Sequence, residues 1–284
     1  MYARAMNHVP LRQELILPQR ARGRLELGFQ RDVAGRTRIE NFYQQGCLKA
    51  RLTHPVQPAV CEAVSLNISG GIAGGDALDA GIRLGEQARA CVTTQAAERV
   101  YRAQEGELAR IDTRITVGAG ARLEYLPQQT ILFDGFALRR RLEIDLIGDA
   151  EYVGVESVVF GRQAMGERVR RGMLRDCTIL RRDGVLLVQE MTRLDGDISA
   201  LLARRALGNG AVAVASVICV AADAAMLLSA LRDALAGHDA GATWSDGVLR
   251  ARILAPDAAC LQKCVVAALD ICRRGAPLPR SWQN

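Results

Sequence analysis

The sequence predicts a mainly β protein with a small α+β portion near its carboxyl end, and three observations predict it. Apolar residues recur with period two from about residue 24 to 220, the signature of half-buried strands. Glycine-containing breaks separate these stretches at Gly74 and Gly75, Gly85, Gly106, Gly118 and Gly120, Gly135, and Gly148. Only two segments, both after residue 220, carry a helical period. A chain of 284 residues with 49% apolar content buries a substantial core.

The elements follow in order. Leu78, Ala80, Ile82 and Leu84 face one way while Asp79, Gly81 and Arg83 face the other. The same alternation runs through Ile111, Thr113, Ile115 and Val117, then Ala121, Leu123 and Tyr125, then Leu138, Arg140, Leu142, Ile144 and Leu146. Tyr152 to Phe160 is apolar enough to be buried on both faces. Asp183 and Gly184 form a two-residue hairpin turn between Thr178–Arg182 and Val185–Gln189. A helix is expected from Asp223 to Ala236, with Asp223 as N-cap and Gly237 as its stop. Trp244 to Leu254 reads as a hairpin around Asp246 and Gly247. A second helix runs from about Asp257 to Arg273, with Leu261, Cys264, Val265, Ala268, Leu269 and Cys272 on one stripe. No Ser- or Pro-rich linker intervenes, so residues 22–284 are expected to form one domain: a β body over about 22–220 and a strand, helix, hairpin, helix portion over about 211–275. Residues 1–21 read as a variable arm.

Composition excludes several classes. With 24% charged residues and ordinary Gly and Pro content, the chain is not of disordered or collagenous type. Its longest apolar run, Ala211–Ala222, falls short of the ~20 residues a membrane helix needs. No apolar region precedes a small-residue cleavage site near the N-terminus, so the expected compartment is the cytoplasm. Eight scattered cysteines without a CxxC pair are expected mostly in the core. The formal charge is +6, and all but Lys49 and Lys263 of the 37 basic residues are arginine. Acids interrupt the arginine clusters, which predicts solvated or protein-facing surface rather than a nucleic-acid stripe.

The residues that bear chemistry are few. Ser69-Gly70-Gly71-Ile72-Ala73-Gly74-Gly75-Asp76 is glycine-rich, yet Asp76 stands where a phosphate loop needs lysine, and an alternating strand rather than a helix follows. The run therefore reads as a tight bend with close backbone packing, with Asp76 a carboxylate of interest at its exit. His8, His54 and His238 lie near no recognisable nucleophile and read as lone surface histidines, and HExxH and HxH motifs are absent. Cys260 and Cys264 lie one helical turn apart and could share a metal, but Cys264 and Cys272 belong to the apolar stripe, so the pair reads as core and a tight zinc or nickel site within the chain is not expected. Acids occur within otherwise apolar strand contexts at Glu98, Glu124, Asp134, Glu156 and Glu167. Glu156 is the sharpest case, because a carboxylate in a strand buried on both faces needs a partner or a cation.

Taken together, an ordered set of motifs resembles the UreD (UreH) family of urease accessory proteins. It comprises Ser69–Asp76, Thr93-Thr94-Gln95-Ala96-Ala97-Glu98-Arg99-Val100-Tyr101-Arg102, and Leu123-Glu124-Tyr125-Leu126-Pro127-Gln128-Gln129-Thr130-Ile131-Leu132-Phe133-Asp134-Gly135. Gly161-Arg162, Gly166-Glu167, Arg182-Asp183-Gly184 and Pro279-Arg280-Ser281-Trp282 complete it, covering roughly residues 22–282. Gly46-Cys47-Leu48-Lys49-Ala50-Arg51 departs from the Gly-Pro start of many relatives, and the first twenty residues match nothing.

The resemblance implies a right-handed superhelical arrangement of strands and a non-catalytic scaffold in nickel-dependent urease maturation. It implies binding to UreF, recruitment of the GTPase UreG through UreF, docking on the urease apoprotein, and an internal tunnel that passes nickel. No tightly bound cofactor, nucleic acid or membrane is implied; nickel is transient cargo. A conduit favours isolated carboxylates and hydroxyls over His and Cys clusters, because the ion must leave again. Asp76, Glu156 and Glu167 are then the acidic waypoints, with Thr93, Thr94 and Glu98 beside them. Gly70, Gly71, Gly74, Gly75, Tyr101, Arg102 and Asp134 support the route or the fold, and Glu98, Tyr101 and Arg102 alternatively form a hydrogen-bonded structural knot. Arg139, Arg140 and Arg141 and the exposed face of the second helix are the expected partner surfaces. Two other readings remain open at this level: a stand-alone basic β module for an acidic partner or nucleic acid, and a hydrolase using Glu156 and Glu167 as a carboxylate pair.

Overall fold

The computed structural model describes residues 19–55, 57, 59–162 and 166–283; the variable arm lies almost wholly outside them. The chain climbs by crossing repeatedly between two sheets. β1 (Arg22–Arg31) and β2 (Thr37–Gly46) form an antiparallel hairpin in the first sheet, and β3 (Leu48–Thr53) and β4 (Cys61–Asn67) one in the second. β5 (Ala77–Leu84) returns beside β1 and β6 (Arg89–Thr94) beside β4, both parallel to their neighbours. After the short β7 (Glu98–Val100), β8 (Ala109–Val117) adds to the first sheet and β9 (Arg122–Leu126) to the second. β10 (Thr130–Leu132) lies parallel to β7, then β11 (Phe136–Leu146) extends the first sheet and β12 (Glu151–Phe160) the second. These are stacked coils of a solenoid, with 53% of residues in strands and 13% helical.

Parallel neighbours need a crossover, and here the opposite sheet supplies it. The corners stack coil on coil through backbone hydrogen bonds: Gly118 N donates to Leu84 O (2.9 Å), Ile147 N to Val117 O (3.0 Å) and Asp183 N to Leu146 O (2.9 Å). The solenoid ends with one more parallel strand and then antiparallel ones. β13 (Arg171–Arg182) pairs with β11 and turns through Asp183 (φ 49°) and Gly184 (φ 80°) into β14 (Val185–Asp197). Positive φ at both turn residues is the primed geometry expected of Asp-Gly. After α1 (Ile198–Ala203), β15 (Ala213–Val220) returns beside β12. α2 (Leu228–Ala234), the hairpin of β16 (Asp239–Ser245) and β17 (Val248–Ala255), and α3 (Ala258–Cys272) complete the chain.

The burial pattern makes three layers. Between the sheets lie Leu78, Ile82, Ile115, Leu138, Leu142 and Ile144 from one side and Val92, Leu123, Tyr152, Val158 and Phe160 from the other. On the far side of the second sheet, Val153, Val155, Val159, Val217 and Cys219 meet Leu231, Leu261, Val265, Ala268 and Leu269 of α2 and α3. β12 is sandwiched between both cores, which is why its sequence is apolar at nearly every position. The α3 stripe is buried as its periodicity predicts, and Asp257 caps it by accepting from Cys260 N (2.7 Å).

Two helical details differ from the sequence expectation. The segment expected as one helix from Asp223 begins as a 3₁₀ turn over Ala224–Leu227, because the Asp223 side chain is engaged by Arg274 and makes no cap bond. α1 was not anticipated; at six residues it is too short to show a period, and Asp197 caps it by accepting from Ala200 N (2.9 Å).

Candidate functional site

Strands that alternate inward and outward place one inward residue at each level of the coil, so a polar residue at an inward position must find its partner between the sheets. At the level of Arg140 several strands contribute one. Arg140 follows Leu138 and precedes Leu142 on the inward face of β11, and it is only 7% exposed. Its guanidinium makes a bidentate contact with Asp176 of β13 (Nε–Oδ1 3.0 Å, Nη2–Oδ2 2.6 Å). Nη1 lies 2.5 Å from Glu156 Oε2 of β12 and donates to Thr130 Oγ1 (3.2 Å). One cation thus serves two carboxylates from opposite sheets.

Further along, Ser216 on β15 donates to Glu190 Oε2 of β14 (2.8 Å), and Arg252 on β17 donates to Ser216 Oγ (2.8 Å) and Thr192 Oγ1 (3.3 Å). Cross-strand register aligns these groups: Arg140 pairs with Asp176, Asp176 with Thr192, Glu156 with Ser216, and Ser216 with Arg252. The polar rung therefore crosses both sheets.

Two cavities flank this rung. The larger, about 310 Å³, is walled by Asn67, Thr94, Glu98, Thr113, Tyr125 and Gln128 and ends at Arg140 and Glu156. The smaller, about 30 Å³, continues from Arg140 and Glu156 to Asp176, Glu190, Thr192 and Arg252. Arg140 and Glu156 belong to both walls, so this ion pair stands between them.

Burial sets the electrostatics. Glu156 is pushed up to about 7 by desolvation, against the pull of Arg140 and with the help of nearby Asp176. Glu98 is likewise pushed up to about 7 by burial, although Asn67 Nδ2 donates to both its oxygens (3.2 Å each) and Arg99 N to one (3.1 Å). Burial raises the Tyr125 phenol, so it stays neutral. For Arg140 burial opposes the charge, but Asp176 and Glu156 more than restore it.

The structure redistributes the residues singled out from the sequence. Glu156, Glu98, Thr94, Gly70 and Gly71 line the larger cavity. Asp76 does not: it is buried in the glycine-rich bend, where its oxygens accept from Ala21 N and Ala73 N (2.7 Å each), so its lone pairs already serve the backbone. Thr93 faces the helical layer, donating to Leu126 O (2.6 Å) and accepting from Trp282 Nε1 (3.2 Å). Adjacent strand residues point to opposite faces, and this separates Thr93 from Thr94. Glu167 sits at an outer loop against Arg162 (3.1 Å) and outside both cavities, so it forms no carboxylate pair with Glu156.

The suggested knot of Glu98, Tyr101 and Arg102 does not form as a unit. Tyr101 Oη donates to Gly70 O (3.0 Å) and stacks near Phe133 (5.0 Å), while Arg102 reaches Asp134 (3.3 Å). Asp134 also accepts from Arg170 N and Arg171 N (2.7 and 2.9 Å), tying the β10–β11 connection to the start of β13. Gly74 and Gly75 pack where a Cβ would meet Ala103 Cβ at 2.8 Å and Arg20 Nε at 2.8 Å, respectively. Arg140 is corrected from partner surface to interior. Arg139 and Arg141 do face outward, each on an acid of its own sheet, Asp112 (2.6 Å) and Glu143 (2.5 Å).

Sequence reasoning missed Asp176, Glu190, Ser216 and the inward role of Arg140. The signal for Arg140 was present in the Leu138, Arg140, Leu142 alternation; the other three become significant only when their strands are brought opposite one another.

The family model described as UreD urease accessory protein matches residues 21–283. Urease accessory protein UreD of Rhizobium rhizogenes is 42% identical over 266 residues, covering 93% of this chain and 96% of that protein. Its namesake from Sinorhizobium medicae is 42% identical over 272 residues (94% and 97%), and that from Methylobacterium sp. is 42% identical over 273 (94% and 96%). A match that runs from the first described strand to Trp282, at this identity and nearly full coverage of both chains, assigns the chain to the UreD family of urease accessory proteins, helpers in urease maturation.

Proposed function

We propose that this chain is a non-catalytic scaffold that binds UreF, recruits the GTPase UreG through it, docks on apo-urease and passes nickel along the space between its sheets. The observation that supports this most is the pair of cavities meeting at Arg140 and Glu156, whose linings offer carboxylate, hydroxyl and amide oxygens among apolar and arginine side chains and, among the described residues, contain no His or Cys. Such donors bind a hydrated divalent ion weakly enough to release it, whereas clustered thiolates and imidazoles would retain it. GTP belongs to the partner on this reading, since Asp76 occupies the position where a phosphate loop carries lysine.

The residues act on the cargo in sequence. Ionised Glu98 draws the cation into the larger cavity. Beyond it the guanidinium of Arg140 repels the ion, so passage requires Arg140 to lean toward Asp176, which already holds it by two bonds, leaving Glu156 free to accept the ion. Because Glu98 and Glu156 both titrate near 7, protons compete with the cation, and transfer accelerates from about pH 6 to about pH 8.

The test is reconstitution with UreF, UreG, apo-urease, Ni²⁺ and GTP. Glu156→Gln and Glu98→Gln preserve shape and should reduce activation by roughly tenfold or more while the complex still assembles. Full activation by both variants would remove the inter-sheet space from the route; failure of the parent chain to join the complex would remove the scaffold role.

A further inference from the structure

The helical layer holds a second cluster of ligand atoms, on the opposite side of the second sheet from the two cavities. Cys260 and Cys264 lie four residues apart on α3, so their thiols project from the same face. His238 comes to them from the connection between α2 and β16. Gly237 (φ 79°) makes the bend there, and the backbone on either side of the imidazole is pinned: His238 N donates to Leu235 O (3.2 Å) and Ala240 N donates to His238 O (2.8 Å). Cys260 Sγ lies 4.0 Å from His238 Nδ1, and the ligand atoms of all three residues lie within 4.8 Å of one another.

From this geometry we propose that His238, Cys260 and Cys264 bind a single borderline-soft divalent metal, zinc being the best fit, with three protein ligands and an open fourth position. Metal–sulfur bonds of about 2.3 Å and a metal–nitrogen bond of about 2.0 Å at tetrahedral angles put the donors about 3.5–3.8 Å apart. The present separations exceed this by about 1.3 Å at most, within reach of side-chain rotations. Two sulfurs and one imidazole select zinc-like ions over magnesium or calcium.

The burial gradient sets the open side. Cys264 is buried in the core, Cys260 is half-buried, and His238 is exposed, so the fourth position faces outward, to water or a donor atom of a docked protein. This site is the chemical opposite of the inter-sheet cavities: clustered soft ligands that retain an ion rather than isolated oxygens that release it. The inference does not rest on the nickel-route reading, and neither depends on the other's outcome.

The experiment uses the full chain, reduced and freed of metal with a chelator, titrated with Co²⁺. One equivalent should give thiolate-to-cobalt charge transfer and the visible bands of tetrahedral Co²⁺, and Zn²⁺ should abolish both. His238→Ala and Cys260→Ser should each weaken binding by roughly tenfold or more without changing the far-ultraviolet circular dichroism. Cys177→Ser, at a half-buried cysteine on β13, should leave the titration unchanged. Absence of the charge-transfer band, or a band equally strong in His238→Ala and Cys260→Ser, would overturn the assignment.

Discussion

Glu156→Gln should stabilise this protein at about pH 8 and leave it nearly unchanged at about pH 4. The ionised side chain lies between two sheets, and burial lifts its carboxyl from the ordinary 4.5 to about 7 even with Arg140 beside it. Holding it ionised in the folded chain therefore costs about 3 kcal/mol relative to the unfolded chain. The sign follows from proton linkage. Below about pH 4.5 the carboxyl is neutral in both states and carries no penalty; between about 4.5 and 7 only the unfolded chain ionises, so the parent loses stability as pH rises; above about 7 the full penalty stands. Glutamine keeps the shape and cannot ionise, and Arg140 retains Asp176 and Thr130.

The variant should accordingly gain about 3 kcal/mol at pH 8 and under ~1 kcal/mol at pH 5, while nickel-dependent activation falls. Urea unfolding of parent and variant across this range, followed by circular dichroism with m-values compared, measures the difference directly. A variant less stable than the parent at pH 8 would refute the reasoning. Glu156 would then be a net stabilising partner of Arg140 and not a carboxylate kept at a cost in stability.

Three further outcomes follow from the same contacts. Arg140→Met should destabilise by about 3–5 kcal/mol, since it leaves Glu156 and Asp176 buried without their shared cation, and adding Glu156→Gln should recover a large part of the loss in a double-mutant cycle. Gly71→Ala should cost about 1–3 kcal/mol, read as a lowered urea midpoint: φ is +143°, and a Cβ would lie 2.4 Å from Tyr101 Cε2 and 2.9 Å from Arg99 O, so trimming Tyr101 can relieve only the first contact. Trp282→Ala should cost about 3–5 kcal/mol by the same measurement, because a side chain 7% exposed leaves a cavity and forfeits its bond to Leu126 O (3.0 Å), whereas Thr93→Val beside it should cost only about 1 kcal/mol.

Much of the fold was legible because strand and helix periods are local. The alternation in β5, β8 and β11 named their inward faces correctly, the two Asp-Gly turns required positive φ, and the α3 stripe is buried residue for residue. Candidate site residues were legible only where a face and a partner could both be inferred. Glu156 announced itself as an acid in a doubly buried strand, whereas Asp76 proved to be held by backbone amides that no periodicity reveals. Arg140 stood on an apolar face, yet its neighbours Arg139 and Arg141 made the triplet look like surface; two of the three are outward and one is not, as a two-residue period demands.

By itself the sequence determined the strand-rich class, the places where the chain turns, the capped final helix and the family, since each is encoded in short-range pattern or in ordered motifs. Only the tertiary structure decided which inward residues meet. Asp176, Glu190 and Ser216 are unremarkable within their own strands and gain their role by standing opposite Arg140, Glu156 and Arg252 across the register. His238, read alone as a surface histidine, likewise faces two cysteines because the α2–β16 connection passes over the first turns of α3. Contacts between groups far apart along the chain depend on how strands stack and layers pack, and no local window of residues contains that information.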